Sequence, residues 1–361
     1  MEPVSTQFLE SLSRSHKRVT EATFTLPEGE TVTLDVLAGK VKGDSQSNYR
    51  RTGNASFLGG RDVYELLSTP GGILHVDHGL QFGSTAEMVP VFHGEIAEGS
   101  QTLGTGAVDC SFADLGRWVE RTDFLRPYNP ANGTPRTTVI ANVIVDTLPA
   151  ATVINTSSDT DAVGNTVWPD KRHDVINDLT RDGGTEAFWA PDGTFTIRDQ
   201  PTLNSPSVWM IKSGESGVLK SAQRRRPLDR MYNTVVVRPS TADGSQPWKQ
   251  QVAQITDPNH PRHPDKVGVV PYFWNSPTAR TEASALRAAR KLLARVDGVT
   301  ETLSLSALSN PALDVGDVIR VGMPPTGSES AEVVQHFIDS FDLDWVTGEM
   351  TAATRSQGLN A

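Results

Sequence analysis

The sequence predicts a mainly β protein with a small α+β insertion, and three observations carry the prediction. Gly (30) and Pro (23) are plentiful while aromatics make up only 7%, a mixture that suits many short strands joined by turns. Most of the chain alternates apolar and polar residues over short runs, the period of a half-buried strand. Helical spacing is confined to a few stretches, chiefly 137–148, 170–180 and 279–296. The 361 residues allow two or three domains, at roughly 100–200 residues each. The expected division is 1–112, 113–205 and 206–361.

Taken in order, residues 5–14 form a short helix with Phe8, Leu9 and Leu12 on one face. Val19–Leu26 and Thr31–Leu37 then alternate around the turn Pro27–Glu30, which predicts a hairpin. Residues 49–57 read as a strand, and Asp62–Leu67 as a helical turn ending at Pro70-Gly71-Gly72. Strands return at Ile73–Val76, Met88–Glu98 and Gly104–Phe112. Gly94, inside Val91–Ile96, marks a bulge or a barrel bend. A short helix through residue 121 follows, then helices over Thr137–Leu148 and Asp170–Thr180, the latter with Asp170 as N-cap and Gly183-Gly184 as stop. Glu186–Trp189 and Thr194–Arg198 flank Pro191-Asp192-Gly193, a hairpin turn.

Beyond Pro201, strands are expected at Val208–Ile211, Val218–Gln223 and Met231–Arg238, with Tyr232–Val237 buried. Residues 256–266 hold Pro258, Pro261 and Pro264 and predict an exposed, extended loop. Thr278–Val296 is an amphipathic helix with the apolar stripe Leu286, Ala289, Leu293, Val296, stopped by Gly298. Thr302–Leu308, Asp317–Val321 and Glu332–Trp345 complete the strands, the last alternating through Phe337, Phe341, Leu343 and Trp345, and the tail after about residue 354 is polar.

Composition narrows the function. With 33 basic and 43 acidic residues the net charge is −10, which repels phosphate at long range and disfavours stable nucleic-acid binding. The densest basic run, Arg224–Arg226 with Arg230, reads as a solvated or ion-paired turn. Cys110 is the only cysteine, so no internal disulfide or cysteine-rich zinc site is possible, and it reads as a small core residue. No leader is expected at the N-terminus and no run approaches a membrane span. The sequons at Asn54, Asn132 and Asn155 therefore read as chance matches.

Signatures of catalysis are missing. Gly104-Thr105-Gly106 opens like a dinucleotide fingerprint, but Asp109 stands where the third glycine belongs and would oppose pyrophosphate. His75, Asp77 and His78 offer metal-ligating groups, yet strand geometry puts His75 and Asp77 on one face and His78 on the other; an exposed strand end is the reading preferred. Asp257, His260, His263 and Asp265 come closer to a ligand list, but the prolines spread them. Asp339, Asp342 and Asp344 read as a solvated strand face. No catalytic, cofactor or metal residue is assigned.

The C-terminal elements carry a resemblance. Tyr232-Asn233-Thr234-Val235-Val236-Val237, the helix at 279–296, and Asn310-Pro311-Ala312-Leu313-Asp314-Val315-Gly316-Asp317-Val318-Ile319-Arg320-Val321 occur in the order seen in the tail-hub family of long-tailed phages, also called baseplate hub proteins. Asn310-Pro311 enforces an extended entry, Gly316-Asp317 a tight turn, and Val318, Ile319 and Val321 start a strand. The resemblance covers the last 160 or so residues by motif and the rest by layout. It implies two β-barrel-like domains (1–112 and 206–361) around a small α+β domain (113–205), in a non-catalytic ring-forming protein, typically a homotrimer. It further implies a place at the virion tail tip, between the tail tube and a spike or fibre. Distal tail and tape measure proteins would be neighbours, and DNA would pass through the lumen without specific binding. No cofactor is implied, and synthesis would be in the host cytoplasm. Two other readings stay open: another virion protein such as a distal tail adaptor ring, or a glycan-binding protein or hydrolase on a β scaffold.

Overall fold

The computed structural model describes residues 1–225, 232–239, 249–279, 281–297, 301–323 and 332–356. After helix α1 (Thr6–Ser11), six strands form the first unit: β1 (Lys17–Thr25), β2 (Thr31–Asp44), β3 (Arg51–Leu58), β4 (Ile73–Phe82), β5 (Thr85–Gln101) and β6 (Ala107–Asp114), with α2 (Gly60–Leu67) between β3 and β4. Their order is β1-β4-β5-β6-β3-β2, and Ala22↔Leu34 to Thr25↔Thr31 joins β1 back to β2, so this unit is a closed barrel. Closure covers the edge of β2 over residues 31–34 and leaves its far end, residues 40–44, to pair elsewhere. Alternation sends Phe24, Leu34, Phe57, Leu74, Val76 and Phe112 inward, each at most 4% exposed. Gly94 sits where β5 runs tight against β6: a Cβ there would lie 2.2 Å from the Ala113 carbonyl oxygen, which only glycine permits.

An α+β segment follows: α3 (Gly116–Arg121), α4 (Arg136–Thr147), β7 (Val153–Asn155), α5 (Arg172–Gly183), β8 (Thr185–Trp189) and β9 (Phe195–Asp199). Its sheet order is β7-β9-β8, and it has its own core around Val139, Ile140, Ile144, Leu179 and Ile197. The hairpin turn is where Asp192-Gly193 predicts it: Gly193 takes φ 89° and the Asp192 carboxylate accepts the Thr194 N–H. Helix α5 starts later than expected. Its N-cap is Lys171, with no side-chain cap, and Asp170 lies outside the helix, so the Asp170 cap is corrected; Gly184 closes the other end in the left-handed region.

Strands β10 (Trp209–Lys212) and β11 (Leu219–Arg225) open a second strand layer, completed by β15 (Glu301–Leu308), β16 (Val318–Met323), β17 (Glu332–Asp344) and β18 (Glu349–Ser356) in the order β10-β16-β17-β18-β15-β11. Between β11 and β15 the chain makes a separate three-stranded sheet, β12 (Thr234–Pro239), β13 (Gln251–Gln254) and β14 (Pro271–Ser276), with α6 (Pro264–Val267) before β14 and α7 (Glu282–Asp297) after it. The strand at 232–237 and the long helix thus pack on each other, outside the sheet of the second unit. The helix's buried face also differs from the one expected. Ala285, Ala288, Ala289 and Leu292 are buried against Val235 and Val237, while Leu286 is only partly buried and Leu293 and Val296 flank this core. Three alanines let the helix lie close on β12, and bulkier residues fill the flanks.

Residues 256–266 are neither extended nor wholly exposed. Successive turns close them (His260 N–H to Asp257 O and His263 N–H to His260 O, both 3.0 Å), Arg262 is 2% exposed, and its carbonyl accepts from the Asn233 side chain. The proline-driven expectation fails because Pro fixes φ near the value a turn also uses. Arg226, Arg230 and Gly298 lie outside the described residues, as does the end of the polar tail.

The two strand units are joined by β2 and β17, antiparallel from Lys40↔Asp344 to Asp44↔Ser340. One hydrophobic core runs through both, from Phe8 and Phe24 to Leu305, Ile319, Phe341 and Trp345. The expected core side holds for Phe341, Leu343 and Trp345, but Phe337, also buried, lies on the opposite face of β17. A bulge between Ile338 and Ser340 flips the buried parity from Val334, His336 and Ile338 to Phe341 and Leu343, because one extra residue exchanges the two faces of everything beyond it.

Candidate functional site

The β2–β17 pairing makes one uninterrupted antiparallel sheet, β5-β6-β3-β2-β17-β18-β15-β11. Paired residues share a face, so the register defines what that face presents. One row runs Ser221, Ser306, Thr351, Asp342, Lys42, Thr52 from β11 to β3. A second runs Gln223, Ser304, Ala353, Ser340, Asp44. On the first unit, Lys40, Asn54, Ser111 and Glu98 form a third, and Ala38, Ser56, Asp109 and Ser100 a fourth. The opposite face buries Leu303, Leu305, Ala352, Leu343, Val41, Ala55 and Cys110. The outcome is a broad wall of hydroxyl, amide and methyl groups, with Lys40 and Lys42 paired in register with Asp344 and Asp342, and Glu98 and Asp109 adding acid. These four rows carry no aromatic or large aliphatic side chain.

Behind this wall, three parts of the fold meet at a buried ionic junction. Arg51 (3% exposed) donates to Asp314 Oδ1 at 2.8 Å and to the Val91 carbonyl at 3.0 Å. Arg50 donates to the Val315 carbonyl, reaches Glu186 at 3.3 Å, and stacks 3.7 Å over the Phe188 ring. Glu186 also accepts from Arg198 Nε at 2.5 Å. The Asn310–Val321 motif supplies the acids. Asp317 N–H bonds the Asp314 carbonyl across a turn with Gly316 at φ 87°, and the Asp317 carboxylate takes the Asp314 N–H and the Met1 amine. Burial alone would raise the Asp314 pKa, but Arg51 and Arg50 pull it to about 2. Nearby, burial pushes Asp114 up to about 7 although it accepts the Arg51 and Gly116 N–H groups. The turn-forming role of this motif was legible in the sequence; its ion-pairing role was not, because Arg50 and Arg51 are some 260 positions away.

The metal candidates are not brought together. His263 Nδ1 accepts from Asp265 N–H and Asp257 Oδ1 from Asn259 N–H, each serving its own turn. Among the described residues, no three His, Cys, Asp or Glu side chains gather as a metal would need. The expected exposed strand end at 75–78 is corrected: these residues lie mid-strand in β4, and His78 is fully buried. His75 and Asp77 do share a face, 3.2 Å apart, and His75 also meets His93 at 3.3 Å. His78 points inward to Thr20 Oγ1 at 2.8 Å, and burial, with Arg18 adding to it, holds its pKa down at about 4. Burial pushes the Cys110 thiol up to about 12, which leaves no thiolate for chemistry. Gly104 and Gly106 form the β5–β6 turn at φ 92° and 73°. Arg224 pairs with Glu301 at 2.9 Å. Asp342 is on the polar wall as expected, Asp344 accepts from the Val346 and Thr347 N–H groups in the following turn, and Asp339 lies 3.2 Å from Arg355. Among the described residues no helix is long and apolar enough to cross a membrane.

No protein-family model and no curated protein matches the chain, but solved structures match it almost end to end. A tail protein from Neisseria meningitidis superposes with a TM-score of 0.63 at 14% identity, covering 94% of this chain and 97% of that one. The 43 kDa tail protein of prophage MuSo2 from Shewanella oneidensis gives 0.60 at 11%, with 93% and 98% covered. Prophage tail protein gp18 from Listeria monocytogenes gives 0.58 at 8%, with 93% and 94% covered. At such identities it is the path of the backbone that is shared, and on that path this chain has the mainly β fold of phage tail proteins, the kind expected from its Asn310–Val321 segment.

Proposed function

We propose that the chain is the structural hub of a phage tail tip or baseplate, a homotrimer that rings a passage for DNA. The observation that carries this reading is the polar wall spanning both strand units through β2 and β17. Two six-stranded units side by side in each copy would give a threefold ring six similar segments, matching a sixfold tube on one side and a threefold spike or fibre on the other. Within this reading, 1–112 and 206–361 act as the two barrel-like domains, with 232–297 an excursion from the second, and 113–205 the α+β domain on the outside. Small side chains give DNA nothing to grip, and the acids among them repel phosphate. Distal tail, tape measure and spike or fibre proteins would be the neighbours. The reading assigns no reaction to this chain.

Light scattering on the purified chain, together with images of the assembled particle, tests the proposal. A trimer and threefold density at the tail end are expected. A sixfold ring would instead identify a distal adaptor, and a monomer turning over a sugar would overturn the structural reading.

A further inference from the structure

Two neighbouring cavities, of about 220 and 410 Å³, share Gln200, Arg295, Phe337 and Arg355 as lining. They occupy the seam between α5 of the α+β segment, α7 of the third sheet and strands β17 and β18. The acids along this seam are already engaged. Glu186 is held by Arg50 and Arg198, Asp114 by two backbone N–H groups, Asp199 by Ser157 and Ser158, and Asp44 by Lys42 at 3.1 Å. Two of the cations are not. Arg355 has Asp339 at 3.2 Å and Lys291 the Gly183 carbonyl at 2.5 Å, whereas Arg181 has only the Trp274 ring 4.1 Å away. Arg295 has no carboxylate or carbonyl partner among the described residues. Its side chain is exposed at the mouth of the cavities, and partial desolvation together with the nearby charges of Arg355 and Arg181 lowers its pKa. The same lining contains Trp189, 2% exposed, whose indole N–H lacks a hydrogen-bond partner. A buried donor of this kind is costly unless something accepts from it.

We propose that this seam is a binding site for a small oxyanion of phosphate size, held by Arg181 and Arg295 and clamping α5 of the α+β segment to α7, the helix packed on the third sheet. A tetrahedral oxyanion presents several acceptor oxygens to forked guanidinium donors and neutralises the surplus charge. The chain as a whole is acidic, with a net charge of −10, so capture would depend on this local excess of cations. The inference is independent of ring formation and holds or fails on an isolated chain.

Inorganic phosphate titrated into the full chain at constant ionic strength in chloride tests it, with binding read by calorimetry and Tm by thermal denaturation. Saturable one-site binding and a matching rise in Tm are expected, because a ligand that binds only the folded state stabilises it. Arg295→Ala and Arg181→Ala should each weaken binding by about tenfold or more, with far-UV circular dichroism unchanged, and Arg295→Lys should weaken it less. No saturable wild-type isotherm, an equal Tm rise in chloride alone, or Ala variants that bind as well as wild type would overturn the site. If the Ala variants fail to fold, the wild-type isotherm and Arg295→Lys decide.

Discussion

Asp314 is the residue on which the buried junction turns. It holds Arg51 at 2.8 Å with Arg50 Nε at 3.6 Å, and all three are at most 8% exposed. Removing one partner of a buried pair strands the other, at a cost of about 3–5 kcal/mol. Asp314→Ala should therefore lower unfolding stability by that amount in urea denaturation; a loss below about 1 kcal/mol would mean that the junction is hydrated. His78 gives a pH dependence of known sign. The unfolded chain takes up a proton at this imidazole as pH falls through 6.5, the folded chain only near 4. The unfolded state thus binds more protons in that window, and stability is lost on acidification from about 6.5 to 4, by roughly 3 kcal/mol over the full span. Asp114, raised to about 7, works in the opposite sense, its stabilisation fading as pH rises from 3.8 through 7. The difference between wild type and His78→Asn isolates the histidine, and a flat difference curve would refute the assignment.

Among the elements, β2 and β17 decide whether the wall is continuous. Their seam depends on two close approaches: a Cβ on Gly39 would lie 2.1 Å from the Trp345 ring, and one on Gly43 2.6 Å from Phe341. Gly39→Val should overpack the seam at a cost of about 1–3 kcal/mol and should expose Trp345, now 3% exposed, to fluorescence quenchers. A variant with unchanged stability and quenching would show that the seam can relax around a side chain. The elements that periodicity predicted well are those with large alternating apolar residues, β1, β8, β9 and β15. Strand β18 escaped notice because Met350, Ala352 and Thr354 form its buried side, too small and mixed to register as a hydrophobic period.

The whole molecule is best described as two strand units fused edge to edge, with two α+β excursions carried outside them. If the polar wall faces a DNA passage, then replacing Asp342, Asp344 and Glu98 together with Lys should make DNA stick there and slow its ejection from assembled particles. The effect should weaken as salt is raised, since counterion release would drive it. Ejection at the wild-type rate at low salt would remove the wall from the passage.

What the sequence by itself determined is local: strand period, turn chemistry at Pro191-Asp192-Gly193, the order of segments, and a motif at Asn310–Val321 that signals the tail-protein fold. These follow from side-chain volume and backbone preference within a few residues. Only the tertiary structure decided which strands meet across the β2–β17 seam, that Arg50 and Arg51 neutralise Asp314, and that the third sheet and its helix lie outside the second strand layer. Pairing of that sort depends on free energies summed over the entire core, and one-residue bulges such as that at 338–340 reverse the face of everything after them. A wall of serine, threonine and alanine has no signature until its neighbours are known, because such residues are unremarkable one at a time and become a surface only in register.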